Sequence, residues 1–142
     1  MRSLIRAYAL LGISLLGCLP QQATTQRGPR SDSDQVLRRA FEQRISNLQV
    51  EGRGVIKRIL GDDNDGSQHQ RFILELRSGQ TLLIAHNIDI APRIIGLRNG
   101  DKVAFRGEYD WNREGGVIHW THHDPGGRHP GGWLKHKGKT YQ

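Results

Sequence analysis

Residues 100–109, GDKVAFRGEY, decide how the chain folds. Asn99, Gly100 and Asp101 supply strong turn chemistry, and after them Val103, Phe105 and Gly107 fall at every second position. A period of two belongs to a strand with one buried face, because successive side chains of an extended chain point to opposite sides. A helix would need apolar residues three and four apart. The segment is therefore predicted to be a strand with Val103, Phe105 and Gly107 turned inward.

Working outward, the same kind of signal recurs. VEGRGVIKRIL (50–60) is β-branched with glycines that permit bending, GDDNDGSQ (61–68) is a loop, and HQRFILEL (69–76) puts Phe72, Leu74 and Leu76 on one face. RSGQ turns the chain into TLLIAH (81–86). NIDIAPRIIGLRNGD (87–101) breaks the β pattern, and Pro92 suits the first turn of a short helix through Ile94, Ile95 and Leu97. After the 100–109 strand, DWNREGG turns and VIHWTH (117–122) is a fifth strand. Strand, strand, strand, short helix, strand, strand is the order of a mainly β, five-stranded OB-type barrel with a helix between strands three and four. An SH3-like or simple meander barrel is the rival. The tail, 125–142, is expected to form a hairpin around Lys137 and Gly138.

Before the barrel, SDSDQVLRRAFEQRISNL carries Val36, Leu37, Ala40, Phe41, Ile45 and Leu48 at helical spacing behind a Ser/Asp-rich start, so an amphipathic helix is expected over 33–48. The barrel proper then runs over 49–124, and 32–142 make one domain. With 142 residues there is room for one modest core.

The N-terminal residues read differently. MRSLIR is basic, AYALLGISLLG is apolar but short for a bilayer, and LLGC follows, so 1–17 are expected to be an export signal. LLGC resembles the lipobox of bacterial lipoproteins, which implies that Cys18 carries lipid, and Leu19 after it, rather than Asp, favours the periplasmic face of the outer membrane; a soluble periplasmic or secreted protein, or an uncleaved anchor, is the alternative. Residues 18–31, polar and holding two prolines, would be a flexible tether. Cys18 is the only cysteine, so with it lipidated no disulfide, thiolate nucleophile or cysteine metal ligand is available. The formal charge of +7, or +5 once Arg2 and Arg6 leave with the signal, favours an anionic ligand.

The polar chemistry concentrates in HWTHHDPGGRH (119–129), which holds four of seven histidines. If 117–123 are extended, His119 and His123 stand about 13 Å apart, too far to share an ion. Partners must come from elsewhere, and the barrel topology provides them. The ends of strands one, three and five share a rim, which would gather Asp62, Asp63 and Asp65 with His86, Asp89, His122, His123 and Asp124. The last five are the candidate ligands of a divalent metal, Zn or Mn. Asn87, His119, Trp120 and Arg128 are candidate contacts for a bound ligand. Each also has a plain structural reading: DDNDG as an ordinary turn, Asp89 as a helix cap, Asn87 as a tight-turn residue, Asp124-Pro125 as a strand-ending turn, and the tryptophans as packing.

With HNIDIAP, GDKVAFRGEYDWN, GGVIHWTHHDP and GGWLKHKGKTYQ assembled, the chain resembles a family of small exported bacterial proteins, domain of unknown function 3465, over about residues 50–142. The resemblance implies an exported single domain in which the HNID and HWTHHDP segments recur together, and it assigns no catalytic residue. The leading expectation is a binding module in the bacterial envelope. The alternatives are a metal-dependent phosphodiesterase or nuclease with a metal-activated water, and a structural envelope protein.

Overall fold

In the computed structural model, residues 32–142 are described. The expected signal, Cys18 and the tether up to residue 31 lie outside them. The elements are a helix, α1 (Asp32–Glu42), and seven strands, β1 (Leu48–Ile59), β2 (His69–Glu75), β3 (Thr81–Asn87), β4 (Lys102–Asp110), β5 (Val117–His119), β6 (Trp133–His136) and β7 (Lys139–Tyr141).

The first five strands close on themselves. β1 pairs with β2 and β2 with β3, all antiparallel. β3 then lies parallel beside β5, β5 antiparallel beside β4, and β4 returns to β1 from Leu48↔Tyr109 to Val55↔Lys102. This is the OB-like barrel that the strand order implies. The 12 residues of β1 serve two neighbours, β4 from Leu48 to Val55 and β2 from Val55 to Ile59, and the register slips between Ile56 and Arg58 just past the point where the strand passes from one to the other. Gly54 sits at the changeover, where a Cβ would run into the backbone of Glu75.

Alternation fills the interior. Phe72, Leu74, Leu82, Ile84, Val103, Phe105, Tyr109 and Ile118 are each no more than 1% exposed. Each such side chain, wholly removed from water, contributes about 1.5–3 kcal/mol. Leu37 and Ala40 bring α1 onto the same core. The Trp111 indole donates to the Phe41 carbonyl at 3.1 Å and its ring lies 6.5 Å from that of Phe41, so the helix is part of the domain. α1 is shorter than the expected 33–48 because Arg44 and Asn47 take positive φ angles of 55° and 58°, which stop the helix and turn the chain into β1.

Two further findings differ from expectation. Residues 88–101 form turns and no helix. The Gln70 side chain, buried inside the barrel, donates to the Ile94 carbonyl and accepts from the Ile94 N–H, both at 2.9 Å, and the His86 ring binds the Pro92 carbonyl. Backbone groups that a helix would satisfy internally are held by side chains from the barrel. The tail is the second finding: its hairpin, β6 and β7 around Lys137 and Gly138, also pairs with the free edge of β4, so the sheet continues past the barrel.

Candidate functional site

β4 positions the site. With Val103, Phe105, Gly107 and Tyr109 inward, Glu108 and Asp110 must both face outward. β5 puts Ile118 inward and therefore His119 outward, directly opposite Glu108. Close approach of the two strands depends on Gly107, where a Cβ would meet the His119 carbonyl and the Ile118 and Thr121 side chains. His119 Nε2 thus lies 2.8 Å from Asp110 Oδ2 and 3.6 Å from Glu108 Oε1. One ligand atom from each of the three lies within 4.8 Å of the others, and this is the one such group among the described residues.

The surroundings hold the group in place. The Asn47 N–H donates to Asp110 Oδ1 at 2.9 Å, leaving the other oxygen for His119. His129, from the loop before β6, reaches Glu108 Oε2 with its Nε2 at 2.8 Å, while its Nδ1 meets the Pro130 carbonyl at 2.9 Å. Both partners are acceptors, so both ring nitrogens carry protons. Burial alone would lower the pKa of His129, but the Glu108 carboxylate and the Pro130 carbonyl outweigh it and the net shift is upward. Trp120 stacks on the His129 ring, centroids 4.0 Å apart and planes 11° from parallel, and also packs against His122. It does so with φ at 52°, a strained backbone for so bulky a residue. Gln49 lies opposite Glu108 across β1, and its side-chain amide, shielded from solvent at both N and O, has no hydrogen-bond partner.

The five residues expected from the sequence as ligands do not form a convergent group. His86 points into the barrel after Leu82 and Ile84 and is fully buried. Its Nε2 meets the Pro92 carbonyl at 3.2 Å and must donate, so Nδ1 accepts from the Thr121 hydroxyl at 2.8 Å. Burial pushes its pKa down from 6.5 to about 4, helped by the nearby His122 and His69 rings, so it is a neutral core residue at ordinary pH. Asp89 accepts from the Gln68 N–H, and Asn87 from the N–H of Asp89, closing the turn after β3. His122 is 4% exposed and donates from Nδ1 to the His123 carbonyl; His123 is exposed. Asp124 takes three backbone N–H groups, from Gly126, Arg128 and His129, and these hold its carboxyl below the usual range. Its work is to shape the loop that delivers His129. Arg128 is exposed on that loop. Asp62 pairs with Arg93 and Asp63 with Arg71, so the acidic loop is largely neutralised locally.

His119 and Trp120 therefore stand at the site, while Glu108, Asp110 and His129 were not among the residues expected there. For the two carboxylates the signal existed: the alternation that turns Val103, Phe105 and Gly107 inward turns Glu108 and Asp110 outward. Chemically, two carboxylates and one imidazole around a small space can hold a divalent cation.

The chain belongs to the family described as "Protein of unknown function (DUF3465)", whose match spans residues 21–142 and so includes α1 as well as the barrel and tail. No curated protein matches the chain.

Proposed function

We propose that this chain is a binding module of the bacterial envelope that holds a divalent metal ion on the outer face of β4 and β5 and uses it to engage an anionic ligand. The observation that carries this reading is the convergence of Glu108, Asp110 and His119 to within 4.8 Å. Their side chains are only 18–32% exposed, so two carboxylates are held together with partial shielding from water, an arrangement that a cation would relieve. Mixed oxygen and nitrogen donors suit Zn or Mn better than Ca, which takes oxygen alone. His129 stays outside the set: its protonated Nε2 holds Glu108 Oε2 and so orients that carboxylate from behind. The partnerless Gln49 amide beside Glu108 supports a polar occupant. In this reading Cys18 carries lipid and 18–31 tether the module to the membrane.

Calorimetric titration of the full chain with Zn and Mn is expected to show one ion per chain. Glu108→Gln and His119→Ala should each weaken it by an order of magnitude or more, and His123→Ala should leave it unchanged. Titrations showing no binding to the wild type end the reading.

A metal-dependent phosphodiesterase is the second reading. It is favoured by the count of donors, since three protein ligands leave a position for water, as catalytic sites do. Phosphodiester cleavage assayed with added Zn, Mn, Mg and Ca separates the two: turnover abolished by Glu108→Gln supports the enzyme, and a negative result with all four ions supports the binder.

A further inference from the structure

The outer face of β4 continues beyond the metal group. Counting back from Glu108 in steps of two gives Arg106, Ala104 and Lys102, all on the same side of the sheet. Register fixes their neighbours: Arg53 of β1 and Lys135 of β6 flank Ala104 from either side, and Trp133 lies opposite Arg106. Adjacent strands are about 4.8 Å apart and residues on one face about 6.8 Å apart along a strand, so Arg53, Lys102, Arg106 and Lys135 ring the small Ala104 within roughly 10 by 14 Å. Among the described residues none of the four is in an ion pair. Residues 1–31 contain no Asp or Glu that could pair with them. Lys135 Nζ sits 4.3 Å from the centre of the Trp133 ring, which places an aromatic surface inside the cationic cluster.

Four cations outside any ion pair on one sheet face, with Glu51 opposite Arg106 as the acid among them, leave a net positive surface beside an indole, and like charges this close repel until an anion joins them. We infer that this face binds a single-stranded polynucleotide, with phosphates on Arg53, Lys102, Arg106 and Lys135 and a base against Trp133. An aromatic surface next to a line of cations is how single strands are held without sequence preference. An acidic bilayer fits less well, because a flat surface would be pressed against Glu51, Glu108 and Asp110 together, whereas a flexible strand that follows the cations passes only Glu51 and stops at the metal group. The inference shares the anionic-ligand part of the proposed function but does not need the metal.

The test is fluorescence anisotropy of a fluorescein-labelled oligothymidylate titrated with the full chain, in EDTA, between about 50 and 200 mM salt. Four neutralised phosphates at about −0.7 each give a slope of log K against log salt near −3. Arg106→Ala and Lys135→Ala should each lower affinity and make the slope shallower by about 0.7. Arg58→Ala removes a charge from the part of β1 that pairs with β2 and should leave the slope unchanged. Equal losses from Arg58→Ala and Arg106→Ala would show that net charge alone is at work and overturn the assignment. So would binding to phosphatidylcholine vesicles containing phosphatidylglycerol with none to the oligonucleotide. Binding seen only when Zn or Mn replaces EDTA would assign the contact to the metal and take it away from the four cations, overturning this inference, whereas metal binding without oligonucleotide binding sinks this inference and leaves the metal site standing.

Discussion

Lowering the pH from 7.5 to 5 should destabilise the fold through one buried residue, His86. Folded, its ring is fully buried between the Thr121 hydroxyl and the Pro92 carbonyl and takes a proton only near pH 4. Unfolded, it takes one near 6.5. Between those values the unfolded chain binds a proton that the folded chain refuses, so stability falls as the pH descends from 6.5 and levels off below about 4. At 1.36 kcal/mol per pH unit the whole window is worth roughly 3 kcal/mol, and the part down to pH 5 about 2 kcal/mol. His129 works in the opposite sense: its raised pKa stabilises the fold below 6.5, and that contribution is lost as the pH rises through its folded value. Comparing wild type with His86→Gln at each pH cancels the His129 contribution. Urea denaturation at pH 7.5 and pH 5 should show the stability advantage of wild type over His86→Gln shrinking by about 2 kcal/mol. An advantage that stays constant between the two pH values would mean that His86 titrates as if in water, and would refute its placement inside the barrel.

Three further outcomes are expected. Gly107→Ala forces a Cβ against the His119 carbonyl and should cost about 1–3 kcal/mol by urea denaturation, with a loss under 0.5 kcal/mol contradicting the close approach of β4 and β5. Asp124→Ala removes the acceptor for three N–H groups, so amide hydrogen exchange at Gly126, Arg128 and His129 should accelerate over wild type; unchanged rates would show that the carboxylate does not hold the loop. Cys18→Ala should move the protein from the membrane to the soluble fraction, and unaltered fractionation would refute a lipid anchor.

Much of the barrel was legible because it is written in alternation. Phe72, Leu74, Val103 and Phe105 point inward as a period of two requires, and the strand order alone implies β5 beside β3. The 87–101 segment misled because Pro92 and its apolar neighbours suit a helix locally, whereas Gln70, distant in sequence, and His86, the last inward residue before the segment, supply the hydrogen bonds that hold it in turns. The site was half legible. Attention to the strand ends gathered histidines and aspartates on one rim, yet the same alternation, followed one residue past Gly107, leads to Glu108 and then Asp110 facing His119. It also sends His86 inward behind Leu82 and Ile84, away from any shared ion. His129 had no local signal, because its contact with Glu108 depends on how Asp124 folds a glycine-rich loop.

The central claim concerns where a metal would sit, and anomalous diffraction at the Zn edge from crystals of the Zn-loaded chain tests it most directly. The account predicts one peak at about 2.0–2.2 Å from a carboxylate oxygen of Glu108, one of Asp110 and a ring nitrogen of His119. A peak among His86, Asp89, His122, His123 and Asp124 instead, or none at the β4–β5 face, would contradict it.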